Sequence, residues 1–152
     1  MANVNHSTLT DPYLHEPKGV YAAAANKVYV SDGSNSGAWT ALSLVISGTI
    51  DDVSNPATVY VPIPFAGTIS KVVTVLEGAI TNTDATITVK NSSAASMGTL
   101  TITQSGSAAG DVDTLSPSSN NTVSANSYIT VETDGNSHTT RKLNFVVTLD
   151  RS

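Results

Sequence analysis

The chain has 152 residues, of which 39% are hydrophobic and only 12% are charged, and it carries a net charge of -5 and no cysteine. This length suits one domain and is short for two. The seven basic residues are scattered, which excludes the clustered Lys and Arg that a nucleic-acid partner requires. The lack of cysteine excludes disulfides, thiol nucleophiles and thiolate metal sites.

The first ten residues, "MANVNHSTLT", are polar. They lack both the basic segment and the apolar segment of a secretory signal. No apolar run elsewhere approaches the ~18 residues that a membrane helix needs. We therefore expect synthesis in a cytoplasm and no membrane partner.

Residues 1–42 are predicted to be an irregular N-terminal arm. Pro12 and Pro17 each push the preceding residue toward extended backbone. The run "YAAAAN" at 21–26 could form one or two helical turns, although so short a helix is marginal in water. Residues 28–30 and 38–41 are predicted to pair as a small hairpin around "SDGSNSG". Trp39, the only tryptophan, should rest on another surface.

Residues 43–152 alternate short apolar segments with turn residues. Pro62 and Pro64 cannot donate to a ladder, so their strand ends there or lies at a sheet edge. Segment 67–78 is apolar on both parities, which predicts a strand that is buried on both faces or crosses a sheet. About eight strands are predicted in all, at 44–50, 58–65, 67–78, 85–90, 99–104, 111–115, 127–133 and 143–149.

This pattern predicts an all-β fold. Short strands joined by connections rich in Gly, Ser, Asn and Asp are typical of an antiparallel sandwich or barrel. Eight strands in two sheets favour a jelly roll, and the Cys and Trp landmarks of an immunoglobulin domain are missing. We therefore predict an antiparallel β-sandwich at 43–152, most simply a jelly roll, behind the extended arm. The predicted core comprises Leu44, Ile46, Val59, Val61, Val73, Val75, Ile87, Val89, Leu100, Ile102, Ile129, Val131, Phe145 and Val147.

Three stretches carry a resemblance to a known family: "LHEPKGVYAAAANKVYVSDGSNSGAWTAL", "VYVPIPFAGTISKVVTVLEGAITNTDATITVKNSSAASMGTLTI" and "GSAAGDVDTLSP". Through them, nearly the whole chain resembles the head decoration (cement) proteins of tailed bacteriophages. The resemblance implies a β-sandwich with an N-terminal arm that binds the capsid exterior, often as a homotrimer, and strengthens the shell. It implies the major capsid protein and other copies of the chain as partners, and a place on the outside of the virion.

The arm is the predicted docking element. About 25 extended residues can reach on the order of 80 Å, which is enough to cross a neighbouring subunit. Ordering such an arm costs roughly 1–2 kcal/mol per residue, so its apolar groups must meet a partner surface. Aromatic side chains often dominate such contacts. The predicted partner-binding residues are Tyr13, Leu14, His15, Glu16, Lys18, Val20, Tyr21, Tyr29 and Trp39, with Val28 as a further apolar anchor.

The sequence offers little for catalysis. His6, His15 and His138 show no spacing that predicts a metal triad. The carboxylate pairs 51–52 and 111/113 are expected to cap turns rather than to flank a glycosidase cleft. "DGSNSG" and "GDVDT" are incomplete as calcium loops, so a structural calcium ion is only the lesser alternative. Phosphate loops and nucleophile elbows are missing from the sequence. We predict no enzyme, no cofactor and no metal.

Two functions stay open at this point. The first is a structural virion protein that bridges capsid subunits. The alternative is a receptor- or glycan-binding module of a head fibre or tail, since a jelly roll serves both roles. A glycan site would place two or three exposed aromatic rings in one groove of the β domain, whereas a cement role would place them on the arm. Tyr13, Tyr21, Tyr29 and Trp39 all precede residue 43, which favours the first function.

Overall fold

The computed structural model describes residues 23–34 and 37–152. These residues form strands and turns but no helix, so the predicted all-β class is confirmed. A helix able to cross a membrane is accordingly missing from the described ranges. The chain divides after Leu42 into two units, residues 1–42 and residues 43–152, and each is described by itself.

The described part of the first unit is a β-hairpin. Strand β1 (Lys27–Ser31) pairs with β2 (Gly37–Ala41), and Tyr29 lies opposite Trp39, which confirms the predicted hairpin. The helical turns predicted at 21–26 are wrong for residues 23–26, which contain a turn instead; residues 21–22 lie outside the described ranges. Asn26 has a φ of 63°, a left-handed conformation that Asn tolerates and that turns the chain into β1.

The second unit is a sandwich of two antiparallel sheets. One sheet has the order β4-β10-β6-β7, and the other has the order β3-β11-β5-β8, with the short β9 also paired to β5. The strand bounds are β3 (Ser43–Ile50), β4 (Ala57–Ile63), β5 (Gly67–Leu76), β6 (Ala85–Asn91), β7 (Ser96–Ile102), β8 (Val112–Leu115), β9 (Thr122–Val123), β10 (Ser127–Thr133) and β11 (Leu143–Arg151).

The connectivity is that of a jelly roll. Strands β8 and β9 act as one interrupted strand because both pair with β5, and the Asn121 side chain bridges the interruption by donating to the carbonyl oxygens of Ile69 and Pro117, both at 3.0 Å. The first of the resulting eight strands then pairs with the last, the second with the seventh, the third with the sixth and the fourth with the fifth. A long hairpin folded across two sheets in this way is the jelly-roll topology.

Strict alternation builds the core between the sheets. Along β6, Ala85, Ile87 and Val89 are buried while the intervening residues are not, and along β11 every second residue from Leu143 to Leu149 is buried. The predicted inward sets of these strands are confirmed. The edge-strand residues Leu44, Ile46 and Val59 are partly buried against this core.

Strand β5 departs from the predicted burial. A β-bulge shifts its register against β11 between Thr148 and Leu149, so its inward parity changes along the strand. Ile69, Val72 and Leu76 are buried, whereas Val73 and Val75 lie on the outer face. The prediction of these two valines as core residues is wrong because sequence alternation could not reveal the bulge. The strand is apolar on both parities since one parity fills the core and the other forms part of an outer surface.

The two prolines fall where a sheet tolerates them. Strand β4 pairs only with β10 and is therefore an edge strand, which confirms one of the two predicted alternatives. Pro62 lies within it, opposite Tyr128, and can be accommodated because an edge strand has one side without a ladder. Pro64 follows the end of the strand.

A glycine in β3 makes room for the largest core side chain. Gly48 lies opposite Phe145, and a Cβ atom at Gly48 would come within 2.4 Å of the ring atom Cζ. Phe145 is 1% exposed, so the ring cannot move outward without leaving the core. The aromatic ring covers the glycine of an edge strand and so makes up for its missing side chain.

We predict that Gly48→Ala lowers the free energy of unfolding by about 1–3 kcal/mol, the usual cost of overpacking a core. The neighbouring Ser47→Ala, on the outer face of the same strand, should stay within about 0.5 kcal/mol of wild type. Urea denaturation of both variants checks this. Equal stability of the two would mean that the Phe145 ring relaxes freely.

Candidate functional site

Two of the predicted partner-binding residues can be placed, and the structure brings them together. Tyr29 and Trp39 pack edge to face in the hairpin, with ring centroids 5.4 Å apart and an interplanar angle of 63°. The surface predicted for Trp39 to rest on is therefore the Tyr29 ring. The remaining predicted residues, Tyr13, Leu14, His15, Glu16, Lys18, Val20 and Tyr21, lie outside the described residues.

The hairpin presents different chemistry on its two faces. Tyr29 and Trp39 occupy one face and are half-buried. Val28 and Val30 alternate with Tyr29 and therefore lie on the other face, where they are 39% and 50% exposed. Water thus reaches apolar side chains on a sheet of only two strands, and such a hairpin is marginally stable by itself.

The loop of the hairpin uses its polar groups internally. Asp32 Oδ1 accepts a hydrogen bond from the Ser34 amide at 2.7 Å, and Ser31 Oγ accepts one from the Gly33 amide at 3.2 Å. Gly33 has a φ of 77°, which suits the tight turn. Within the described ranges, no three His, Cys, Asp or Glu side chains are grouped to hold a metal ion.

The carboxylate pairs differ in their surroundings. Asp52 caps a turn, since its Oδ1 accepts hydrogen bonds from the Ser54 hydroxyl at 2.6 Å and the Ser54 amide at 2.8 Å. These bonds, with those from Asn55 and Thr140, hold the pKa of Asp52 below its ordinary value. The predicted turn-capping role is confirmed for Asp52. Burial, and secondarily the charge of Asp111, raises the pKa of Asp113.

A groove on the four-stranded sheet contains the site that sequence reasoning missed. Tyr60 on β4 and Tyr128 on β10 meet edge to face on the outer face, with centroids 5.3 Å apart and an interplanar angle of 62°. They remain 65% and 41% exposed. A groove of about 140 Å³ lies beside them, lined by Tyr60, Asn91, Ser92, Ala94, Tyr128, Thr130 and Glu132. Alternation in the sequence indicates that both tyrosines point outward, but it does not show that their strands pair and bring the two rings together.

An ion pair lies beside this groove, to which Glu132 contributes as a lining residue and Lys90 as its partner. Glu132 Oε2 accepts a hydrogen bond from Lys90 Nζ at 2.5 Å, and Glu132 Oε1 accepts one from Thr130 Oγ1 at 2.8 Å. The Lys90 and Thr130 bonds hold the pKa of Glu132 below its ordinary value of 4.5, although burial acts in the opposite direction. The site therefore carries an ionised carboxylate whose charge is balanced by an adjacent ammonium.

Two further apolar surfaces lie on the sandwich. A groove of about 440 Å³ between the edge strands β3 and β4 is lined mainly by Leu44, Ile46, Pro62, Ile63 and Pro64. The outer face of the five-stranded sheet carries a valine patch. In that patch Val146 lies opposite Val73, and Val75 lies opposite Val112.

Comparisons with solved structures show a distant likeness to a pilus protein. No family model matches the chain, and no curated protein matches it. A solved structure reported under "Bacillus endospore appendages form a novel family of disulfide-linked pili" is similar over 86% of this chain and 96% of that chain. The identity is 13% and the TM-score is 0.34, values too low to support any argument about function.

We predict that acid destabilises the wild type more than Glu132→Gln. Because the folded-state pKa of Glu132 lies below its unfolded value, its ionised form contributes stability that is complete above about pH 4.5. That stability is lost as the pH falls through the lowered folded-state pKa. Urea denaturation between about pH 6 and about pH 3 measures the difference. Lys90→Met should reduce the acid loss in the same way, and an unchanged loss in both variants would contradict the assignment.

Proposed function

We propose that the chain is a non-catalytic structural protein of a phage virion that attaches to the outside of the capsid and stabilises it by bridging capsid subunits. The major capsid protein is its partner, and residues 1–42 make the attachment. One observation carries the proposal: the hairpin β1–β2 exposes Val28 and Val30 to solvent on a sheet too small to be stable alone. The resemblance to decoration proteins in the sequence supports the same role.

The energetics of the hairpin favour a partner that offers many identical binding sites, as a repeating shell does. Burying an exposed valine contributes about 25 cal/mol per Å² of apolar surface. Burial of a single valine does not offset the roughly 1–2 kcal/mol per residue that ordering the backbone costs. Several such contacts on one particle raise the effective concentration of each of the others. A repeating shell therefore suits this hairpin better than a single soluble partner does.

Self-association into homotrimers is part of the proposal. The valine patch supports it, because β-branched side chains that are cross-strand neighbours on an outer sheet face can pack against another copy. It comprises Val73, Val75, Val112 and Val146. Val112 is 56% exposed. Sedimentation of the purified chain tests this part: a trimer that Val112→Asp dissociates is the expected result, and a monomeric wild type would contradict it.

We predict that Val30→Asp abolishes attachment to the shell without lowering the melting temperature of the sandwich, since it places a charge on the exposed face of the hairpin. The measurement is co-sedimentation of the full chain with DNA-free shells of the major capsid protein that is proposed as its partner. A parallel thermal melt reports on the fold.

Val45→Asp is the matched control. Val45 is 61% exposed and lies on β3 of the sandwich, so the same charge there should leave co-sedimentation intact. Loss of binding by both variants, or by neither, would overturn the assignment of attachment to the hairpin.

A further inference from the structure

We propose that the groove beside Tyr60 and Tyr128 is a saccharide-binding site that takes one neutral pyranose ring of a longer glycan. It lies on the outer face of the four-stranded sheet, in the second unit, and shares no lining residue with the hairpin to which attachment is assigned.

The aromatic pair supplies the apolar half of the recognition. In an edge-to-face pair each ring keeps at least one face that the other does not cover, and Tyr60 is 65% exposed. The face of an aromatic ring carries the negative side of its quadrupole. The axial C–H groups of a pyranose form a weakly positive apolar patch that fits such a face. Fixed aromatic rings also lose little side-chain entropy on binding.

Glu132 in the groove and its partner Lys90 beside the groove supply the polar half. A carboxylate only accepts hydrogen bonds and an ammonium only donates them, so the pair presents an acceptor and a donor side by side at 2.5 Å. Neighbouring hydroxyl groups of a sugar can donate to the one and accept from the other. Both side chains keep contact with solvent, with 32% of Lys90 and 27% of Glu132 exposed. The Thr130 hydroxyl donates a hydrogen bond to Oε1 of Glu132, the carboxylate oxygen that Lys90 does not bind, and so holds this side chain in place.

Charge and size select against other ligands. The ammonium of Lys90 already balances the carboxylate, so the groove lacks the unpaired charge that would attract an anion or a cation. A volume of about 140 Å³ is below the roughly 300–1,000 Å³ of pockets that enclose drug-sized molecules. One ring can sit in the groove while the rest of a chain runs over the surface. The polar lining makes an apolar peptide anchor a poor fit.

The test uses the full chain on a glycan array that contains bacterial surface polysaccharides and pyranose oligosaccharides. The free oligosaccharide with the strongest signal is then titrated into the ¹⁵N-labelled chain and followed by NMR. We expect shifts confined to the amides around Tyr60, Tyr128 and Glu132. Tyr60→Ala and Tyr128→Ala should each weaken binding by about fivefold or more, the usual effect of removing a central aromatic contact.

Further variants separate recognition from folding. Glu132→Gln keeps the shape of the side chain but removes the charge-assisted acceptor, so it should weaken binding while the NMR spectrum stays folded. Val45→Ala, at an exposed position on the other sheet and outside the valine patch, should bind as wild type does. Neither variant touches the hairpin, so shell co-sedimentation should be unchanged in both.

Three results would overturn the proposal. One is a glycan array on which the wild-type chain gives no signal above that of the Tyr128→Ala variant. Another is shifts that map to a different surface. The third is a change in sedimentation when Tyr128 is replaced, which would identify the groove as a contact between copies of the chain. Failure of the shell-binding experiment alone leaves the saccharide site standing, since the readouts are independent.

Discussion

The apolar layer between the two sheets is the constraint on which the rest of this protein depends. The strands of the sandwich contribute mainly alternate residues to it, with the parity changed by the bulge in β5, and Val53 and Ile80 add to it from the connections. With few aromatic residues available, valine and isoleucine must interdigitate closely, and a single ring, that of Phe145, occupies the space left by Gly48. The jelly-roll pairing closes this layer using residues 43–152 alone, so the outer faces are free to carry other chemistry.

The outer faces expose different side chains, and packing of the core does not require these differences. The five-stranded sheet exposes valines, the four-stranded sheet exposes a tyrosine pair beside a balanced ion pair, and the hairpin of the first unit exposes two more valines. Exposed apolar surface lowers the solubility of a protein, and a monomer that binds nothing has no use for such a surface. A protein that works at the surface of a larger assembly would use such faces, and this common feature links attachment, self-association and sugar recognition in one account.

Much of the fold could be predicted from the sequence because alternation reports directly on burial. The inward residues of β6, β10 and β11 follow period two without interruption, and the turn residues between them mark the strand ends. The hairpin could also be predicted, from the segments "KVYV" and "AWTAL". Alternation failed at β5, where a bulge changes the parity and turns Val73 and Val75 outward. The helical turns expected from the run "YAAAAN" were also wrong at 23–26, because the left-handed Asn26 leads into a hairpin instead of ending a helix.

The candidate sugar site could not be predicted in the same way. Tyr60 and Tyr128 are separated by most of the sandwich sequence, and Lys90 and Glu132 lie on two different strands. Their convergence depends on β10 pairing with β4 on one side and β6 on the other, which is a property of topology rather than of local pattern. The sequence criterion for a glycan site was two or three exposed aromatic rings in one groove of the β domain, and Tyr60 and Tyr128 are two such rings. Tyr29 and Trp39 pair with each other in the hairpin.

Amide hydrogen exchange of the full chain, free and bound to capsid shells, tests the central claim most directly. The claim is that the sandwich is complete in itself while the hairpin becomes stable only on a partner. In the free chain the amides of β5, β10 and β11 should exchange only through global unfolding. Those of β1 and β2 should exchange through local opening that costs little free energy. On the shell the hairpin amides should become strongly protected. Hairpin protection equal to that of β11 in the free monomer, unchanged on the shell, would contradict the account.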